Sequence, residues 1–464
     1  MVLTIAQARI ELVDPQDCTD SADTLAMLDA VFDPLVRRVG AGRFAPGLAE
    51  AWVQEDARTT RFRLRPGLVF HDGTVCDAAA VAVSLRRMAD PKVGATLGAP
   101  GVWAQYLAGS TVTVLDAGSL RLETVREIAD ILDVIAAGMI VSPAALAAAG
   151  EDVARRWVGT GPWRLDAHDD AVVRMVPVRE GGAELRWLHA AEHENRLRAL
   201  QMGVVDVATK IDPAWTGLDT VTVTDPTAII CLLNAGRGPC ADVRVRRALN
   251  LAVDRTALIG DVLGGHGDPL GGFVSPLHFG FDPEASGARH DPAAARLLLA
   301  EAGYGRGLAL VADWPTRLPD EAPVLLPALQ AQLAAVGVTL TARIEGDRVR
   351  YAERVRDSDI ADLCMFDSSP MSTFRVLAEK IDSRVAGSWW LGYRNAAVEA
   401  VLDEARVAMD GGVREGLYRR CYRMLREDPA WLTLYTHRKT AAGRVGLVFR
   451  EDGVLDVRAV AAGG

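Results

Sequence analysis

No stretch of the 464 residues approaches the roughly 18 consecutive apolar residues that a spanning helix needs. The longest apolar run, near Ile135 to Ala148, is interrupted by Gly138, Ser142 and Pro143, so a membrane-spanning helix is excluded. A surplus of positive charge is also missing. Acidic residues outnumber basic ones 61 to 51, for a formal net charge of -10. A nucleic-acid surface needs clustered Lys and Arg to neutralise phosphates, so no nucleic-acid partner is expected. The six cysteines, Cys18, Cys76, Cys231, Cys240, Cys364 and Cys421, form no CxxC pair and no Cys/His ligand spacing. Their even count leaves disulfides open, but scattered cysteines in a large domain read as buried thiols and lean towards a reducing compartment. P-loop, GxSxG, HExxH and dinucleotide fingerprints are all lacking, so neither catalysis, a cofactor nor a metal is expected. Glu192-His193-Glu194 looks like a ligand set, but consecutive helical residues point in different directions, and a solvated face is the better reading. The opening MVLTIAQARIELVDP has no basic n-region, apolar h-region or cleavage site. The expected location is therefore periplasmic or cell-surface if a signal was trimmed, and cytoplasmic otherwise.

What the chain does have is an ordinary globular balance, 50% hydrophobic and 24% charged residues, over a length that calls for about three packing units. Val2 to Ala8 reads as a strand, followed by a polar loop from Asp14 to Asp23 and a helix from Thr24 to Phe32 that stops at Asp33-Pro34. Thr60 to Arg65 alternates as a half-buried strand does. Asp77, Asp242 and Asp291 stand where helix N-caps belong. Trp157 to Leu165 and Trp431 to Thr436 read as strands, and Leu308 to Ala312, Leu326 to Ala335 and Val338 to Ile344 as a strand-helix-strand unit. No fixed-period repeat and no low-complexity linker is present, so the expected class is α/β with closely joined lobes.

Several segments, in order along nearly the whole chain, carry a resemblance. They are Phe32-Asp33-Pro34-Leu35-Val36, Pro46 to Trp52, FRLRPGLVFHDGT from Phe62 to Thr74, Val158-Gly159-Thr160-Gly161-Pro162-Trp163, ALQMGVVDVA from Ala199, DVRVRRALNLAVDR from Asp242, YRNAAVEAVLDEA and PAWLTLYTHR. Together they resemble the peptide/nickel/opine-type solute-binding proteins, family 5, of ABC importers. The resemblance implies a two-lobed clamp of the periplasmic-binding-protein type II (cluster C) with an extra subdomain in lobe I. Ligand sits between the lobes, which close by hinge motion. In this chain the lobe I core would be 1–34, the inserted subdomain 35–157, further lobe I core 158–228, lobe II 229–439 and the return to lobe I 440–464. Most of the motifs read as scaffold, with glycines where a backbone turns or packs closely and with solvated or acid-paired arginines in the helix after Asp242.

In this family the loop after the first strand lines the cleft, which here puts Thr19, Asp20 and Asp23 forward as contacts for a cationic or amine-bearing ligand. Trp103 and Tyr106 fall where the inserted subdomain presents aromatics. Asp362 to Phe374 reads as a buried strand breaking into a polar loop, offering Asp367, Ser368 and Met371. Dipeptide binders of the family look like a strand followed by GDP at this place. Ser369-Pro370 departs from that, so recognition of an amino terminus does not carry over directly, although Asp367 still suits an amine. The helix near Ala136 to Pro143 lacks the arginine of nickel-metallophore binders. Trp389, Trp390, Tyr393 and Arg394 precede the Asn395 cap, where lobe II loops approach the cleft.

The expected function is therefore a monomeric receptor that captures a small polar solute, a peptide or amino-acid derivative, and delivers it to an ABC permease if exported. The competing reading is a cytosolic homologue acting as an enzyme or carrier in small-molecule metabolism, since a closing dry cleft suits chemistry. A sensory module is a third, but no DNA-binding appendage supports it. His278 and His437 have no partner visible in the sequence.

Overall fold

The computed structural model describes residues 1–17, 21–94, 101–150, 152–212, 218–317, 319–368 and 371–463. They form two compact units, one from the described residues of 1–223 together with 439–464, the other from 224–438.

In the first unit, strand Val2–Gln7 runs parallel to Glu184–His189 on one side and to Val207–Ile211 on the other. Val172–Pro177 and Trp163–His168 extend the sheet antiparallel. Side chains alternate across a strand, so Leu3 and Ile5 enter one core with Met27, Val31, Trp163 and Trp187, while Ala6 enters another with Leu200 and Ala208. A separate four-stranded antiparallel sheet, Ala49–Gln54, Thr59–Leu64, Ser119–Glu123 and Thr111–Asp116, packs against helix Ala78–Met88. Asp77 caps that helix by accepting the Ala80 N–H at 2.9 Å.

In the second unit, Leu308–Pro315 and Val338–Glu345 are parallel neighbours joined through helix Ala322–Ala334, the expected strand-helix-strand unit. Leu363–Ser368 lies parallel to Leu308–Pro315 and antiparallel to Asp219–Leu233. Leu310, Leu325, Leu329, Val338 and Leu363 share one core with Leu249 and Leu258 of the helices Val243–Ala252 and Arg255–Leu263.

Two long strands carry the chain between the units. Asp219–Leu233 leaves the first at Val223, and Trp431–Gly443 returns to it at Lys439. The first had no alternating signal to find, because from Asp225 onwards nearly every residue is buried on both faces. The second runs well past Thr436.

Other expectations need correction. Trp157 to Pro162 is not strand; the strand begins at Trp163. A Cβ on Gly159 would stand 2.2 Å from the Val31 carbonyl oxygen, and one on Gly161 2.5 Å from that of Ala30, so this segment is pressed flat against the end of helix Ala22–Val31. In the helix after Asp242, Arg244 pairs with Asp242 and Arg246 with Asp428, the acid pairing expected; Arg246 is also buried and donates to the Pro429 carbonyl at 2.8 Å. His437 meets Glu321 at 2.7 Å and His278 meets the Ser275 hydroxyl at 2.9 Å, partners far away or uninformative in sequence. Cys76, Cys231, Cys240, Cys364 and Cys421 are buried free thiols; Cys18 lies outside the described residues.

Candidate functional site

The strand Leu363–Ser368 brings the polar loop reading into space. Its partners on the crossing strand are Ile229 opposite Asp367, Ile230 opposite Phe366 and Ala228 opposite Ser368. Alternation places Phe366 and Ser368 on one face and Asp367, with the core residues Met365 and Leu363, on the other. On the Phe366 face lies Arg348, first residue of helix Arg348–Arg356. Its guanidinium carbon is 5.6 Å from the Phe366 ring centre and 5.5 Å from that of Tyr351. Tyr351 is itself fixed, donating its hydroxyl to the Met365 carbonyl at 2.5 Å and the Asp313 carbonyl at 3.1 Å. Trp389 packs on the Phe366 ring with centres 4.8 Å apart.

The polar balance of this group is unusual. Arg348 is 9% exposed, yet its Nε and Nη1 have no hydrogen-bond partner among the described residues, and neither has the buried Ser368 hydroxyl. The other buried arginines are satisfied: Arg196 donates to four backbone carbonyls, Arg246 and Arg255 to carbonyls and side chains, and Arg375 pairs with Glu379 at 3.1 Å. A buried cation with idle N–H groups costs several kcal/mol or more, unless an anion completes it. An aromatic wall, a guanidinium and a hydroxyl donor together can hold a carboxylate attached to an apolar body.

The first unit carries a second polar group beside its crossing strands. Asp23, in the first turn of helix Ala22–Val31, accepts from the Lys210 ammonium at 2.9 Å. Gln7 is buried and donates to the Arg9 carbonyl at 2.6 Å and the Asp23 carbonyl at 3.3 Å. Asp23, Lys210, Lys439, Gln7 and Thr209 line one small cavity with Phe449. Burial pushes the Lys439 ammonium down to about 7, and the Lys210 and Arg9 charges add to this while Asp23 opposes it.

The remaining expected contacts are placed as follows. Thr19 and Asp20 lie outside the described residues. Trp103 is 1% exposed and donates its indole N–H to the Gln16 carbonyl at 2.6 Å; Tyr106 is buried near it, and neither lines the cavity around Asp23. Met371, half-buried, precedes helix Thr373–Lys380. Trp389 and Trp390 are in a turn, not a strand, and part ways: Trp389 goes to Phe366, while Trp390 donates to the Tyr393 carbonyl at 2.7 Å and stacks under Arg394 at 5.2 Å. Tyr393 is buried, with its hydroxyl on Asp428 at 3.2 Å. Ser368 and Trp389 thus join Arg348 around Phe366, and Asp367 stands on the opposite face of the strand.

Against known families, residues 43–371 match the model of bacterial extracellular solute-binding proteins, family 5, middle region. The chain belongs to that family. Family 5 proteins are extracytoplasmic receptors for small solutes that work with ABC permeases. The glutathione-binding protein GsiB of Shigella dysenteriae serotype 1 is 24% identical over 468 residues, covering 95% of this chain and 90% of that one. Among solved structures, the dipeptide binding protein from Pseudoalteromonas sp. SM9913 in complex with Met-Leu superposes with a TM-score of 0.79 at 18% identity, over 98% of this chain and 99% of that one. AgaA from A. tumefaciens R10 in complex with agropinic acid gives 0.79 at 20% identity, over 98% and 97%. At these identities the structures establish the fold, that of family 5 periplasmic binding proteins.

For this family 5 protein, the sequence reading missed Arg348, Phe366 and Lys439. DRVRYAERVR looks like an ordinary solvated helix with arginines at several positions, and nothing local distinguishes Arg348 from Arg350 or Arg354. Asp347 caps the helix, and in the fold Arg348 is buried while Arg350 stays exposed.

Proposed function

We propose that this protein is a monomeric receptor of an ABC importer whose solute is a small peptide or amino-acid derivative, with a solute carboxylate held by Arg348. The observation that carries this reading is the buried Arg348 guanidinium over the Phe366 ring, with two N–H groups that have no partner among the described residues, and the Ser368 hydroxyl on the Phe366 face of the strand, which has none among them either. Phe366 and Trp389 then supply the apolar wall for the adjoining side chain. The Met-Leu ligand of the Pseudoalteromonas protein and the glutathione of GsiB are solutes of this chemistry, which supports the choice of class.

The test is titration calorimetry with a panel of dipeptides and glutathione, each as the free acid and as the C-terminal amide. The acid is expected to bind and the amide to bind at least tenfold more weakly, the scale of a charge-assisted hydrogen bond of about 1.5–3 kcal/mol. Arg348→Gln should remove that preference. Equal binding of acid and amide by the wild-type protein would sink the proposal.

A further inference from the structure

A second cationic cavity lies in the unit formed by 224–438, sharing no residue with the Arg348 group. Arg247, Arg255, Arg289 and Arg426 line a space of about 90 Å³, and Glu427 is the one acidic residue in its lining. Glu427 is exposed and pairs with Arg247 at 3.3 Å. Trp431, also in the lining, opens the crossing strand, so at ~3.3 Å per residue it lies about 25 Å along that strand from the point where it leaves the unit.

The charges here are not balanced. Arg255 is 4% exposed and donates to uncharged oxygens: the Thr433 carbonyl at 2.8 Å, the Asn250 carbonyl at 3.0 Å, the Val253 carbonyl at 3.2 Å, Asn250 Oδ1 at 2.9 Å and Thr433 Oγ1 at 3.2 Å. Those bonds hold its side chain rigid without cancelling its charge. Arg426 spends one N–H on the Gly287 carbonyl at 2.8 Å. Burial lowers the Arg255 proton affinity to about 10, and the Arg426 charge adds to this. Burial likewise lowers that of Arg426; Arg289 adds to this, while Tyr422, Glu427 and Asp282 oppose it. Gly272 forms part of the wall, and a Cβ there would strike the Tyr422 ring.

Like charges gathered in a partly dry cavity are relieved by an anion, and planar guanidinium groups match oxyanion geometry. The space accepts a compact group of several heavy atoms. We propose that this cavity is an oxyanion site that takes a phosphate-type group, independent of the solute site. The group is either inorganic phosphate or the terminus of a small phosphomonoester.

The experiment follows unfolding temperature and binding heat with inorganic phosphate and with glycerol 3-phosphate, against sodium chloride at matched ionic strength. Variants are Arg426→Gln, the more exposed Arg289→Gln and, as a control, Arg348→Gln. A rise in unfolding temperature with phosphate is expected in wild type and in Arg348→Gln, with affinity reduced about tenfold or more in the other two. Response to the monoester alone, lost in the same two variants, assigns the site to phosphorylated metabolites. No response beyond chloride with either probe, or a response that Arg426→Gln and Arg289→Gln both retain, overturns the assignment.

Discussion

Replacing Asp33 with Asn tests how the first unit is held together. Asp33 is buried, and its carboxylate receives Arg37 at 2.5 Å, Arg458 at 2.9 Å and the Thr160 hydroxyl at 2.8 Å. These contacts tie the end of the first helix to the Gly159–Gly161 segment and to the C-terminal helix Val457–Gly463. Burial alone would raise the carboxyl's pKa, but Arg458, Arg37 and Thr160 outweigh it and hold it at about 2, against 3.8 when unfolded. At 1.36 kcal/mol per tenfold in proton affinity, that difference contributes about 2 kcal/mol to stability at neutral pH. The unfolded chain takes up the proton first, so the contribution is complete above the unfolded value and is lost as pH falls from about 4 towards 2. In Asp33→Asn, Arg37 keeps Asp29 at 2.5 Å and Arg458 keeps the Phe32 carbonyl at 2.9 Å, so the loss should stay near 2 kcal/mol and not reach the 3–5 of a fully orphaned charge. Urea unfolding at pH 7 and near pH 3 measures both terms. The variant should be less stable at pH 7, and the gap should shrink in acid. A gap that is absent at pH 7, or as wide in acid as at pH 7, refutes the electrostatic account.

The other predictions concern single contacts. Lys439 is held near 7 when folded and titrates near 10.5 when unfolded, so the unfolded chain binds more protons between these values and stability should rise with pH, by at most about 1.4 kcal/mol per pH unit. Lys439→Met should flatten that rise in urea titrations from pH 7 to 9, and an unchanged slope would assign it to another group. Gly159→Ala forces a methyl into the Val31 carbonyl and should cost about 1–3 kcal/mol, seen as a lower unfolding temperature. A neutral result would mean that the segment moves freely off the helix end.

Much of the architecture was legible because it rests on local chemistry. The Asp77, Asp242 and Asp291 caps accept the helix N–H groups they were expected to, and the strand-helix-strand unit around Ala322–Ala334 follows from hydrophobic period and length. The family motifs were legible as markers. Their work became visible only in space, where Asp33 of one motif accepts the Thr160 hydroxyl of another, 127 residues away. The crossing strand Asp219–Leu233 stayed hidden because burial on both faces erases alternation. Asp23 is expected from sequence to meet a cationic or amine-bearing ligand; within the chain it accepts from the Lys210 ammonium, 187 residues distant. Pairings at such separations leave no trace in a local pattern.

The same limit explains why the residue that carries the proposed site was the hardest to see. Arginine is a poor marker in this chain, since some are buried as ties between backbone segments. Arg196 ties Ala190 and Ala191 to Thr209 and Lys210, and Arg246 ties Cys240 to Pro429. Each acts as a bracket between backbone segments, and full use of its donors offsets the cost of burying it. Position in sequence cannot separate these brackets from a binding group; the count of unused donors can. By that measure Arg348 stands apart from Arg196 and Arg246, because beside Phe366 two of its donors have no partner among the described residues. A fold that spends its other buried guanidinium groups on carbonyls and carboxylates would gain stability by giving Arg348 the same treatment. Retaining it unpaired makes sense if the missing acceptor arrives with the solute, so that binding recovers the free energy left uncollected on folding.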